Sequence, residues 1–191
     1  MQGQNFYCIT LPNLNKTFCV NEALGQQGWF ELSSGIDGAR YQGSSLVRAY
    51  GANYVADESN GKFYKLDLDT FTNNGETIKR TRITKSISGE LVGTRGKRIQ
   101  TSRIELIMET GLGLLSGQGE NPRIMIEASY DGGKTWTSGS WARTGRLGEH
   151  VLRVEWFNLK SFYDAILRIT TTDPVSYSVY GGAVDLRRAG R

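Results

Sequence analysis

Hydrophobic side chains in this chain recur at every second residue, not every third or fourth. In residues 62–69, Tyr64, Leu66 and Leu68 alternate with Lys65, Asp67 and Asp69. In residues 103–109, Ile104, Leu106 and Met108 alternate with Arg103, Glu105 and Glu109. Leu152, Val154 and Trp156 alternate with Arg153 and Glu155, and Val175, Tyr177 and Val179 with Ser176 and Ser178. A strand with one face buried requires this spacing; a helix would need a period near 3.6. The best helical stretch, residues 161–169, also alternates well enough to be a strand. The chain is therefore expected to be all-β.

Composition agrees. Twenty-four of 191 residues are glycine, about twice the usual ~7%, which suits many short strands joined by tight turns. With 38% hydrophobic and 22% charged residues, the chain reads as folded rather than disordered. No apolar run approaches the ~20 residues of a membrane helix, and the start lacks the pattern of a secretory signal. The two cysteines, Cys8 and Cys19, are too few for a disulfide scaffold and not metal-spaced. One histidine, His150, excludes zinc sites built on several histidines.

The first strands can be registered. Residues 6–11 and 16–21 flank Pro12-Asn13-Leu14-Asn15. A hairpin centred there sets Ile9 opposite Phe18 and Tyr7 opposite Val20, so that both apolar pairs share one expected inner face. Cys8 then faces Cys19, within bridging distance; without an export signal, two reduced thiols are expected. A weak repeat follows. Asn21-Glu22 leads to Trp29-Phe30-Glu31-Leu32, and Asp57-Glu58 leads to Phe63-Tyr64-Lys65-Leu66, 36 residues later. That offset is of the order of a propeller blade. Composition shifts after Asn74-Gly75, which places a propeller-like portion at 1–78 and a β-sandwich-like portion at 79–191.

Residues 79–103 hold eight Lys or Arg and one acid, Glu90, a local +7 within a chain of +4. Lys79, Arg80, Arg82, Arg95, Lys97 and Arg98 are thus candidates for contact with a DNA backbone or a neighbouring subunit. No aromatic is interleaved between 78 and 103, which argues against a single-strand stacking platform.

The sharpest local motif is Ser129-Tyr130-Asp131-Gly132-Gly133-Lys134-Thr135-Trp136, the pattern called the Asp-box. In that reading Ser129, Asp131, Gly133, Thr135 and Trp136 are structural: Asp131 accepts from turn amides, glycines supply positive φ, and Trp136 packs beneath. The same stretch mimics a phosphate loop, but Trp136-Thr137-Ser138-Gly139 is poor helix material, and Asp131 puts negative charge where phosphate would sit. No nucleophile elbow accompanies His150. A glycosidase needs two carboxylates facing one cleft; Asp67 and Asp69 instead share a solvated strand face. No catalytic residue, cofactor or metal is expected. The competing class is a carbohydrate-binding sandwich using Trp136, Trp141 or Trp156.

Four ordered segments carry a more specific signal. They are Gly28-Trp29-Phe30-Glu31-Leu32-Ser33-Ser34; Ala49-Tyr50-Gly51 with Gly61-Lys62-Phe63-Tyr64-Lys65-Leu66-Asp67; Glu109-Thr110-Gly111-Leu112-Gly113 with Gly117-Gln118-Gly119; and residues 129–136 with Trp141 and Gly145-Arg146-Leu147-Gly148. Together with Asp173-Pro174-Val175, this set resembles the packaged-DNA stabilization proteins, the tail-nozzle or tail-accessory proteins of short-tailed phages, over nearly the whole chain. The resemblance implies the last blades of a β-propeller followed by a β-sandwich-like region, matching the C-terminal portion of family members. It implies a virion tail protein, assembled in the host cytoplasm as a homo-oligomeric ring of six below the portal and its adaptor. A tail needle and tail fibres or spikes would be neighbours, with non-specific DNA in the channel and no membrane. Such a ring would extend the DNA channel and help retain the packaged genome.

Overall fold

The computed structural model describes residues 4–157 and 159–189. They fall into two compact units divided between Lys79 and Arg80. Regular structure is almost wholly β; the helical residues among those described are short 3-10 turns.

The first unit runs β1 (Phe6–Leu11), β2 (Lys16–Asn21), β3 (Trp29–Ser34), β4 (Ala39–Arg40), β5 (Gly43–Ala49), β6 (Ala52–Asp57), β7 (Phe63–Lys65), β8 (Thr72–Asn73) and β9 (Glu76–Thr77). Strands β1 to β4 form one antiparallel sheet, β5 to β7 a second, and β8 pairs with β9. The 36-residue repeat is real at the level of strands, since β2 and β6 start at 16 and 52. Each ends in the same turn: Asn21 Oδ1 accepts from the Ala23 amide at 3.0 Å, and Asp57 Oδ1 from the Ser59 amide at 2.8 Å. An Asx side chain that captures the amide two residues on stops a ladder in this way. The equivalent residues Cys19 and Val55 line one groove of about 760 Å³, so the two sheets present like faces to each other.

Two expectations for the first hairpin need correction. The register is as read from sequence, with Tyr7 opposite Val20, Cys8 opposite Cys19 and Ile9 opposite Phe18. The inward face, however, is the other one: Thr17, Cys19 and Asn21 are buried, while Tyr7 and Ile9 are exposed. The groove lies on the Cys8–Thr10–Phe30–Leu32 side, and that decides which face is covered. The cysteines are not free thiols but a disulfide, with Cα atoms 4.1 Å apart. This is the spacing of a directly opposed, non-hydrogen-bonded pair, and strand register is what brings the sulfurs together.

The second unit contains β10 (Arg80–Ile83), β11 (Ile87–Ser88), β12 (Ile99–Met108), β13 (Arg123–Ser129), β14 (Ser140–Arg143), β15 (Val154–Phe157), β16 (Asp164–Thr171) and β17 (Val179–Arg188). One sheet has the order β10-β16-β13-β14, with β11 also on β16; the other is β15-β12-β17. Their inner faces share one core drawn from both sheets, including Ile99, Ile104, Ile124, Ile126, Val154 and Leu167, as a sandwich requires. Ile104 sits between Trp156 on β15 and Val184 on β17. Outside, Arg103 bonds Asp185 at 2.8 Å and Glu155 at 2.9 Å, with Glu105 at 3.5 Å.

Two expected strands are shorter than their alternation suggests. The one at 62–69 stops at Lys65, because Asp67 Oδ1 and Oδ2 accept from the Asp69 amide and the Thr70 hydroxyl, making a turn. Asp67 and Asp69 therefore share a turn rather than a strand face. Residues 175–178 lie before β17; Val175 is buried, but its carbonyl is taken by the Arg80 guanidinium at 2.7 Å.

Removing the bridge tests the hairpin. The disulfide joins residues 11 apart, so Cys8→Ser with Cys19→Ser should cost about 2–3 kcal/mol of the first unit's stability. Denaturant melts of the variant and wild type measure the loss. Thiol titration of the unreduced, denatured protein should find no reactive group.

Candidate functional site

Strand direction alternates through the second unit, which sends its loops to opposite ends. Residues 89–98, 130–139 and 159–163 and the end of β17 lie at one end; residues 109–122, 144–153 and 172–178 lie at the other.

The turn after β13 is closed around one carboxylate. Asp131 Oδ1 accepts from the Lys134 and Thr135 amides, both at 2.9 Å, and from the Ser129 hydroxyl at 2.8 Å. Its Oδ2 accepts from the Thr135 hydroxyl at 2.6 Å. The Ser129 hydroxyl in turn accepts from the Gly133 amide at 2.8 Å. Gly132 and Gly133 stand at φ 77° and 93°, where a side chain would be strained. These bonds, that from Thr135 Oγ1 foremost, hold the carboxyl well below the usual carboxylate range. The phosphate-loop likeness fails for the same reason: Asp131 already occupies the turn amides, and strand β14 follows instead of a helix.

Trp136 lies between this turn and an ion pair. Its ring edge is against Gly133, and the Arg168 guanidinium stacks 4.2 Å from the ring centroid. Arg168 is held by two bonds to Glu127, at 2.7 and 2.8 Å. Sequence reasoning missed Arg168 and Glu127. The signal was present, because an Arg between Leu167 and Ile169 on an alternating strand must point outward beside a cross-strand partner.

For carbohydrate, Trp156 is excluded by burial at 3%, with Nε1 donating to the Ser140 carbonyl. Arg168 covers one face of Trp136, and Trp141 alone of the three is exposed. The cavity beside Trp156 measures about 240 Å³, below the ~300–1,000 Å³ of ligand pockets. His150 is structural, its Nδ1 2.9 Å from the Thr110 carbonyl. Among the described residues no three of His, Cys, Asp or Glu group as a metal site.

The basic candidates do not stay together. Lys79 belongs to the first unit, where Nζ donates to the Ile36 carbonyl at 3.3 Å. Arg80 is half-buried, stacks on Tyr177, and burial draws its guanidinium below the usual range. Arg82 is exposed on β10. Arg95 pairs with Glu90 at 2.9 Å, and Arg98 donates to the Ser161 carbonyl at 2.9 Å. Lys97 is exposed on the same loop.

At the opposite end, two glycine-rich loops interlock. Gly111 donates to the Thr144 carbonyl and Gly148 to the Gly111 carbonyl, both at 3.0 Å. A Cβ on Gly113 would lie 2.6 Å from the Glu120 carbonyl oxygen, and one on Gly145 2.9 Å from the Gly111 nitrogen. The spaced glycines of these loops thus mark close backbone contact.

Among protein-family models, one described as bacteriophage P22 Gp10, beta-sandwich, matches residues 62–187. No curated protein matches the chain.

Asp131→Ala should lower the melting temperature, and Asp131→Asn should lower it less. Because the folded carboxyl is held below its unfolded value, its contribution is complete above about pH 4 and fades as the pH falls further. The gap in melting temperature between wild type and Asp131→Ala should therefore narrow below pH 4, as scanning fluorimetry across a pH series would read.

Proposed function

The chain belongs to the bacteriophage P22 Gp10 beta-sandwich family, and from that premise we propose that it is a structural protein of a phage tail nozzle. The carrying observation is the family match, which runs from before β10 to residue 187, within β17, and so reaches every strand of the two-sheet unit. In this reading the protein works mechanically, without turnover, as a virion tail component. Subunits assemble in the host cytoplasm as a ring of six below the portal and its adaptor. That ring extends the DNA channel and helps retain the packaged genome, next to a tail needle and fibres or spikes.

The parts suit a load-bearing role. The turn at Ser129, Asp131, Gly133, Thr135 and Trp136 acts as an Asp-box staple, its carboxylate spent on its own backbone. The repeated meanders of the first unit supply blade-like strands, in keeping with a propeller-derived portion. Outward arginines on the second unit are held in ion pairs, Arg103 on one sheet and Arg168 on the other.

Native mass spectrometry and electron microscopy of the purified protein, alone and with portal and tail proteins of its phage, test the reading. A six-membered ring that joins the portal assembly is expected, and particles lacking the protein should package DNA and then lose it. A monomer that binds no tail component would refute it.

A further inference from the structure

The two ends of the sandwich differ in charge. At the end carrying the interlocked glycine loops, Arg123, Arg143, Arg146 and Arg153 are balanced by Glu109, Glu120, Glu149 and Asp173. The other end carries Arg95, Lys97, Arg98, Lys134, Lys160, Arg187 and Arg188. Against them stand Glu90, paired with Arg95; Asp131, enclosed by its turn; and Asp164, 3.5 Å from the Ser86 hydroxyl.

This concentration comes from pairing between distant segments. Strand register sets Ile99 beside Arg188 and Gln100 beside Arg187. The Ala189 amide donates to the Arg98 carbonyl at 3.0 Å, and Ile99 and Phe162 exchange backbone bonds at 2.8 and 2.9 Å. Residues 97–99, 160–162 and 187–189 therefore run side by side, across about 10 Å at the usual strand spacing. The Arg98 guanidinium is fixed by the Ser161 carbonyl and lies 5.9 Å from the Tyr163 centroid. Lys97, Lys160, Arg187 and Arg188 are all exposed.

We infer that this basic end of the sandwich is a docking surface for the phosphate backbone of duplex DNA. The inference rests on the reading of the protein as a wall of a DNA channel, and it replaces the contiguous basic window with a patch assembled by the fold. Arg80 drops out because its half-buried guanidinium is engaged by the Val175 carbonyl and the Tyr177 ring; Lys160, Arg187 and Arg188 enter. The chemistry is that of a sequence-blind site: several exposed cations on hydrogen-bonded backbone and one anchored arginine.

The test compares two double variants with the same change in charge, Lys97→Glu/Arg187→Glu at this end and Arg146→Glu/Arg153→Glu at the other. Binding to a fluorescent random-sequence duplex is measured by anisotropy over a range of salt. Wild-type affinity should fall steeply with salt and be indifferent to sequence. The first variant should flatten the log–log salt slope by about 0.9 for each phosphate contact removed, and the second should leave it unchanged. Equal losses in both variants would reduce the effect to net charge and overturn the inference. So would wild type that binds polyglutamate but not DNA, since the patch would then serve an acidic protein surface. Circular dichroism and ring assembly of both variants separate this outcome from misfolding and from failure of the nozzle reading: a variant that assembles normally yet loses DNA affinity supports the site.

Discussion

Everything in the second unit hangs on burying one face of each sheet against the other. β12 is the middle strand of its sheet, and its inward residues Ile99, Ile104 and Leu106 are all within the core. Each such side chain removed from water is worth roughly 1.5–3 kcal/mol, the scale on which the fold is decided. Once that layer is fixed, alternation forces Arg103 and Glu105 to the outside, where Asp185 and Glu155 meet them. The same alternation on β13 and β16 puts Glu127 and Arg168 outward and brings Arg168 over Trp136. The surface ion pairs are consequences of the core rather than its cause, which accords with the small stabilisation expected of exposed pairs.

The fold was legible where alternation was long and the neighbours were local. Residues 103–108 and 154–156 read directly as strands, and the first hairpin could be registered residue by residue. Alternation failed where a side chain intercepts the ladder: Asp67 ends β7 early, and Arg80 takes the Val175 carbonyl from a position 95 residues away. The inward face of the first hairpin was misread because hydrophobicity alone chose Tyr7, Ile9, Phe18 and Val20. The opposing sheet covers the side bearing Thr17 and Cys19.

The site was legible in its local part and not in its distant part. Asp131, Gly133 and Thr135 lie within a few residues of one another, so turn chemistry could assign their roles. Arg168 and Glu127 are 41 residues apart, and only sheet register joins them. The basic window was a linear reading of a three-dimensional property. Its residues scatter over a first-unit carbonyl, a buried stack, an ion pair and an exposed loop, while the companions of Lys97 and Arg98 come from residues 160 and 187–188.

The pairing of β10 with β16 sets Arg80 opposite Thr171, and that of β12 with β17 sets Ile99 opposite Arg188. One edge of each sheet is thus closed by contacts between residues some ninety positions apart. Topologies dominated by such pairings fold slowly, because the loop must be closed before any contact rewards it. During synthesis one sheet must wait for β16 and the other for β17, so β10 and one side of β12 stay unpaired until some ninety further residues have been made. Until then the early strands keep apolar faces uncovered and edges unpaired, and that interval is the one in which the unit is most open to mispairing.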